Sequence, residues 1–375
     1  MIDTMVLLVS EQAAPNLLPV LDPTLKPHDA VLVVSSKMES RARDLETVLG
    51  EAGVRTSRID LENEHDFGQM QEAILKIAAS RDAQSIALNV TGGTKLMALA
   101  AQSVATMAKW RLFYVDVDTD EVIWLEKDAN RQPLHQQLRL RHYLRGYGFE
   151  LEEKGKRPHL SQQHDDLLRT LIVQVGSLEK PLAQLNWLAQ QGEDRKTLRV
   201  QFSSEQQKNR GLDALLRNFE EAGVLTVRDG AVHFSGEVDR DFAKGGWLET
   251  HVFRAVCAAG SVLDLRDKAA NLTVTDGGGV KNELDVAFMA RNRLFVIECK
   301  TARMDRTEAP KANETLFKLS EICRRVGGLG TRGMLASYRK IGEAEKRLAA
   351  ALHVEVVCGP DLARIDDRVR NWVKR

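Results

Sequence analysis

Between positions 283 and 301 the chain reads ELDVAFMARNRLFVIECKT: two apolar runs, 284–289 and 294–299, joined by Ala290, Arg291, Asn292 and Arg293. No other stretch limits the fold so tightly, because two such runs around a short polar cluster make an antiparallel hairpin. With the turn centred between Arg291 and Asn292, Asp285 falls opposite Glu298 and Glu283 opposite Lys300, partners about 4.5–5.5 Å apart at Cβ. Alternation puts Glu298 and Lys300 on one face and Ile297 and Cys299 on the other. Two carboxylates and an ammonium then converge on one patch, which is costly unless a hard divalent cation offsets the repulsion. Mg²⁺ or Mn²⁺, held by Asp285 and Glu298, takes oxygen ligands, polarises phosphoryl oxygens and acidifies water. Lys300 would assist the nucleophile and stabilise charge on a phosphate. The plain alternative is an edge hairpin with a solvated charged face. Against it stand the acid on the preceding strand, the apolar run into it and the glycine-rich loop 276–280.

Asp285 followed by Glu298-x-Lys300 on adjoining strands resembles the PD-(D/E)xK nuclease superfamily. The flanks agree with its core order of helix, three strands, helix, strand. Residues 246–259 read as a first helix, 261–265 as a short strand, 313–326 as a second helix and 333–338 as a further strand. By the same resemblance Glu249, on the first helix, is a candidate to approach the metal. Asp285 follows Leu284 where the motif name has proline, a departure common in the superfamily.

A chain of 375 residues has room for two or three domains. With 53 basic and 53 acidic residues, any nucleic-acid contact must come from a local patch. Cys257, Cys299, Cys323 and Cys358 form no CxxC pair and the nine histidines no HExxH, which argues against a zinc or disulfide framework and suits a reducing, cytoplasmic setting. The opening MIDTMVLLVSEQ lacks a basic segment and reads as a first strand, and no apolar run approaches the roughly 18 residues of a membrane span.

From the start to about residue 116, strand-like runs (5–9, 30–34, 55–60, 85–90, 111–116) alternate with helical spacing (40–51, 66–80, 94–109). This predicts a doubly wound parallel sheet whose ligands bind at the carboxyl ends of the strands. The first strand runs into Ser10, Glu11 and Gln12, the second into Ser35, and the fourth into Thr91-Gly92-Gly93-Thr94-Lys95. Two glycines, two hydroxyls, a helix N-terminus and a lysine form a candidate anion or phosphate site. It is neither a Walker A loop nor GxGxxG, and without GxGxxG a nicotinamide oxidoreductase is disfavoured. NVTGGTK after the fourth strand of a Rossmann-like domain resembles the CRISPR-associated Rossmann fold (CARF) sensors. That resemblance, with a PD-(D/E)xK domain behind it, implies a homodimeric, type III CRISPR antiviral defence nuclease for DNA or RNA. It also implies allosteric activation by cyclic tetra-adenylate bound around Ser10, Glu11, Gln12, Ser35 and 91–95.

A charged linker over 150–158 is expected to separate a sensor (1–148) from a winged-helix-like scaffold (159–236), followed by the nuclease domain (240–375). In the scaffold, 167–175, 182–190 and 211–222 have helical spacing, and VLTVRDGAVHFSG reads as a hairpin turning at Asp229-Gly230. Arg303, Arg306, Lys311, Lys318, Arg324, Arg325, Arg332, Arg339 and Lys340 are candidate phosphate contacts. A restriction or repair nuclease without a second messenger, and a DNA-binding regulator with a vestigial acidic site, remain as alternatives.

Overall fold

The structure, a computed structural model, describes residues 2–79, 81–126, 130–153, 161–263, 265–301 and 311–375. Its first layer is the expected alternation: β1 (Thr4–Leu8), α1 (Ala14–Leu21), β2 (Asp29–Ser35), α2 (Glu39–Glu51), β3 (Arg55–Leu61), α3 (Phe67–Ala78), β4 (Ile86–Asn89), α4 (Lys95–Met107) and β5 (Arg111–Asp116). These strands pair in parallel in the order β3-β2-β1-β4-β5. β6 (Glu121–Trp124) and β7 (Arg131–Pro133) extend the sheet antiparallel. Helix α1 escapes sequence periodicity because it carries Pro15 and Pro19. Pro19 has no N–H for the carbonyl of Pro15, and that carbonyl accepts instead from Asn89 Nδ2 at 2.9 Å.

After α5 (Leu140–Gly146) the sequence expectation fails. Residues 150–153 are not linker but belong to β8 (Phe149–Glu153), which pairs antiparallel with a strand of the C-terminal sheet. The segment is charged, yet it is an edge strand: Phe149 is buried while Glu152 faces out and binds Thr275 Oγ1 and Lys281 Nζ. The rest of the expected linker lies outside the described residues.

The middle segment contains α6 (Gln162–Val173), α7 (Glu179–Asp194), β9 (Arg199–Gln201), α8 (Arg210–Glu221), β10 (Leu225–Arg228) and β11 (Ala231–Phe234). Its sheet is antiparallel, in the order β10-β11-β9, and Asp229 and Gly230 turn the hairpin with positive φ (49° and 68°). The third unit has α9 (Glu237–Asp241), α10 (Trp247–Leu263), β12 (Asp267–Asp276), β13 (Lys281–Ala290), β14 (Arg293–Lys300), α11 (Lys311–Gly327), β15 (Arg332–Ser337), α12 (Glu343–Ala351), β16 (Val354–Cys358) and α13 (Ile365–Lys374). Its sheet runs β16-β15-β14-β13-β12-β8. The short strand expected at 261–265 is corrected: α10 continues to Leu263, and the first strand of the triplet is β12.

One continuous apolar core joins a face of the N-terminal sheet to a face of the C-terminal sheet, from Leu7, Leu17 and Leu45 through Tyr143 to Leu294, Val296 and Leu316. A second core joins the middle segment, through Leu185, Leu212 and Phe219, to the other face of the C-terminal sheet at Phe288, Phe295 and Ile297. The third unit is thus packed on both sides.

Candidate active site

The hairpin turns as expected, with Arg291 and Asn292 both at positive φ (49° and 53°) and Ala290 paired with Arg293. Asn292 suits this turn for a second reason. Its buried carboxamide accepts from Leu138 N (2.8 Å) and donates to Asp120 Oδ1 (2.9 Å), pinning the hairpin to the N-terminal domain.

The ladder between β13 and β14 continues only to Val286–Ile297. Beyond it the strands part, and Glu298 and Lys300 pair with Leu335 and Ser337 of β15. Asp285 turns its carboxylate into the gap, where Oδ2 accepts the freed N–H of Cys299 at 2.7 Å. The expected pairing of Glu283 with Lys300 is not formed: Glu283 pairs with Thr273 on β12, and Lys300 is bonded to Glu298.

The three motif residues are electrostatically one group. Burial pushes the Asp285 carboxyl well above the ordinary carboxylate range, and Glu298 and Glu249 push it further; the Cys299 N–H and Lys300 only partly oppose this. Glu249 projects from α10 into the same region, raised by burial and by Glu283. Burial alone would lower the Lys300 ammonium, but Glu298 and Asp285 more than offset it, so the lysine lies above its usual value. The structure places Asp285, Glu298, Lys300 and Glu249 in one region, where their charges act on one another.

Among the described residues, no three His, Cys, Asp or Glu side chains stand close enough to hold a metal ion as they are. The donor set nevertheless suits one. Asp285 and Glu298 present hard oxygens that repel each other, and Mg²⁺ is commonly bound by one or two carboxylates together with substrate phosphates.

Two groups were not picked out in the sequence. Asn186 on α7 donates to Thr301 Oγ1 (2.8 Å), just past the end of β14, and to the carbonyl of Lys244. The middle segment therefore grips the catalytic strand. Asn271 of β12 reaches Glu249. Four of the basic candidates are engaged elsewhere: Lys318 with Glu314, Arg324 with Glu321, Arg325 with Asp276, and Arg339, buried, with Tyr338. Arg303 and Arg306 lie outside the described residues.

The second candidate site is at the carboxyl ends of β1, β2 and β4, where strand order reverses between β1 and β4. Its glycines serve close approach to β1. A Cβ on Gly92 would sit 2.1 Å from the Leu8 carbonyl oxygen, and one on Gly93, at φ +72°, 2.9 Å from Leu8 Cβ. Thr94 caps α4 by accepting from Met97 N (3.2 Å), and Lys95 opens the helix, exposed. Thr91 is engaged internally: its hydroxyl donates to Asn89 Oδ1 (2.7 Å) and accepts from Val115 N (2.7 Å). Buried Ser35 bonds Glu64. Ser10 Oγ donates to the Gln12 carbonyl (3.3 Å), and Glu11 is exposed. Gln12 departs from its expected place. Its Oε1 accepts from Leu329 N and from Tyr147 Oη, each at 3.3 Å, so it faces the turn after α11.

Two domain families match the chain: the Card1 CARF domain over residues 4–143 and the Card1-like endonuclease domain over 236–375. The chain joins a Card1-type CARF domain to a Card1-like endonuclease domain. The middle segment lies between the two matches. No curated protein matches the chain. Among solved structures, protein VC1899 of Vibrio cholerae is 26% identical, with 99% of this chain and 98% of that one covered at a TM-score of 0.89. Can2 of Sulfobacillus thermosulfidooxidans, solved with cyclic tetra-adenylate, is 24% identical, with 99% of each chain covered at 0.85. A type III CRISPR defence DNA nuclease activated by cyclic oligoadenylate is 21% identical, covering 91% of this chain and 46% of that one at 0.55. Among the described residues no helix is long and apolar enough to cross a membrane.

Proposed function

We propose that the protein is a divalent-metal-dependent nuclease of DNA or RNA, switched on by cyclic tetra-adenylate in cytoplasmic antiviral defence. The observation that carries the catalytic half is the parting of β13 and β14, which turns Asp285 toward Glu298 and Lys300 inside the endonuclease domain. Asp285 and Glu298 would hold Mg²⁺ or Mn²⁺. Such an ion, when bound, supplies Lewis acidity toward a phosphoryl oxygen and acidifies water. Lys300, held above its ordinary value by Glu298 and Asp285, would assist the nucleophile and stabilise negative charge developing on the phosphate.

For the sensor half, the support is the CARF match, the switch-point loop with its exposed Lys95, and the ligand named with Can2. The donors facing outward are the first N–H groups of α4 and the exposed Lys95; Ser10, Thr91 and Ser35 are bonded within the protein and shape the loop from beneath. A homodimer fits the apolar side chains that α4 leaves outside: Leu99 is 57% exposed and Met107 65%. Ligand held between two sensors would turn the subunits against each other and bring two active sites onto one substrate, provided it binds that arrangement more tightly.

The test is incubation of plasmid and of single-stranded RNA with Mn²⁺ and each cyclic oligoadenylate in turn. Cleavage should require cyclic tetra-adenylate, fall by about 10²–10³ in Lys300→Ala and lose ligand response in Lys95→Ala. Equal cleavage without any ligand would instead mark a restriction-type nuclease.

A further inference from the structure

Asn271 lies in the middle of β12 with φ +50°, a conformation that strands avoid and that asparagine accepts more readily than most residues. The pairing with β13 keeps one register past this point, Ala270 opposite Val286 and Leu272 opposite Leu284. Regular alternation would leave residues 270 and 272 on the same face. They are on opposite ones: Ala270 and Val286 enter the core shared with the middle segment, Leu272 and Leu284 the core shared with the N-terminal domain. The change of face falls on Asn271 in one strand and Asp285 in the other. With its carboxamide turned so that the nitrogen faces inward, the orientation that satisfies the acceptors around it, Asn271 donates to Glu249 Oε2 (3.3 Å) and to the Asp285 carbonyl oxygen (3.3 Å).

We propose that Asn271 is a positioning residue of the active site, tying the Glu249 carboxyl of α10 to the strand that carries Asp285 so that Glu249 serves as a third acid toward the metal. Nothing else in β12 calls for a carboxamide here. Glycine would satisfy the backbone as well, and the Asn271 side chain is exposed, so packing does not select it. The inference rests on the metal-dependent function proposed above.

Asn271→Gly is the clean variant, since it keeps the left-handed backbone and removes only the amide. Outer partners of this type typically contribute about 10–100-fold in metal affinity. Calorimetric titration with Mn²⁺ should therefore show binding weakened by at least about tenfold, with the melting temperature without metal unchanged. Adding Glu249→Gln should weaken it little further, because both changes remove one function. Wild-type Mn²⁺ affinity in Asn271→Gly, or fully additive losses in the double variant, would overturn the proposal. If the unaltered protein takes up no Mn²⁺, both the metal-dependent function and the role of Asn271 fall.

Discussion

Gly328→Ala tests whether the sensor speaks to the nuclease through Gln12. Gly328 has φ +61°, and a Cβ there would lie 2.5 Å from Gln12 Nε2 and 2.6 Å from Oε1. The left-handed backbone costs about 1–2 kcal/mol for a residue with a Cβ. The Gln12 amide, the free end of a flexible side chain, must move away, and its bonds from Leu329 N and Tyr147 Oη go with it. Both bonds are long, so each contributes roughly 0.5–1 kcal/mol, and the variant should lose about 2–4 kcal/mol in all. Gln12→Ala loses the bonds without the backbone strain, about 1–2 kcal/mol. The turn leads directly into β15, which pairs along Glu298 and Lys300. Allosteric coupling between sites is typically about 1–3 kcal/mol, so the same bonds are large enough to carry most of it. Both variants should bind cyclic tetra-adenylate within about threefold of wild type by calorimetry, while ligand-stimulated plasmid cleavage falls at least about tenfold. Full stimulation in Gln12→Ala would refute a role in transmission, and loss of binding would return Gln12 to the ligand site.

Three further outcomes are expected. Lys300→Ala should slow single-turnover cleavage by about 10²–10³ while Mn²⁺ binding measured by calorimetry persists. Asp285 is raised on folding, so its stabilising share is present below the ordinary carboxylate pKa and is lost as pH rises through the folded value. Melting of metal-free protein should therefore fall from pH 5 to pH 8, less so in Asp285→Asn, and Mn²⁺ should restore it at the upper end. Asn186→Ala removes the donor to Thr301 and the Lys244 carbonyl; it should cost about 1–3 kcal/mol in chemical unfolding and lower cleavage although α7 lies outside the catalytic core.

The alternation of the N-terminal domain was legible because buried parallel strands are apolar on both faces, and the hairpin because its turn lies between two runs of such residues. The convergence of Asp285, Glu298 and Lys300 was legible for the same reason, although its geometry was not. Perfect alternation sets Asp285 squarely across from Glu298, whereas the strands separate and the carboxylate serves the Cys299 N–H. Asn271 could have been noticed as an asparagine inside an otherwise strand-like run, a residue type that strands disfavour. Asn186 could not, since one polar residue on an amphipathic helix has no local mark of a partner 115 positions away. Gln12 was assigned by its place at a strand end, and only tertiary packing shows that it looks the other way.

β8 makes these parts less interchangeable than their boundaries suggest. Five residues that follow the sensor in sequence complete the border of the nuclease sheet, so excising the endonuclease at its family limits would strip β12 of its neighbour and leave a bare, adhesive margin. Any chimera that exchanges sensors has to carry residues 149–153 with the nuclease, and a cut placed within 150–153 would sever a seam rather than a tether.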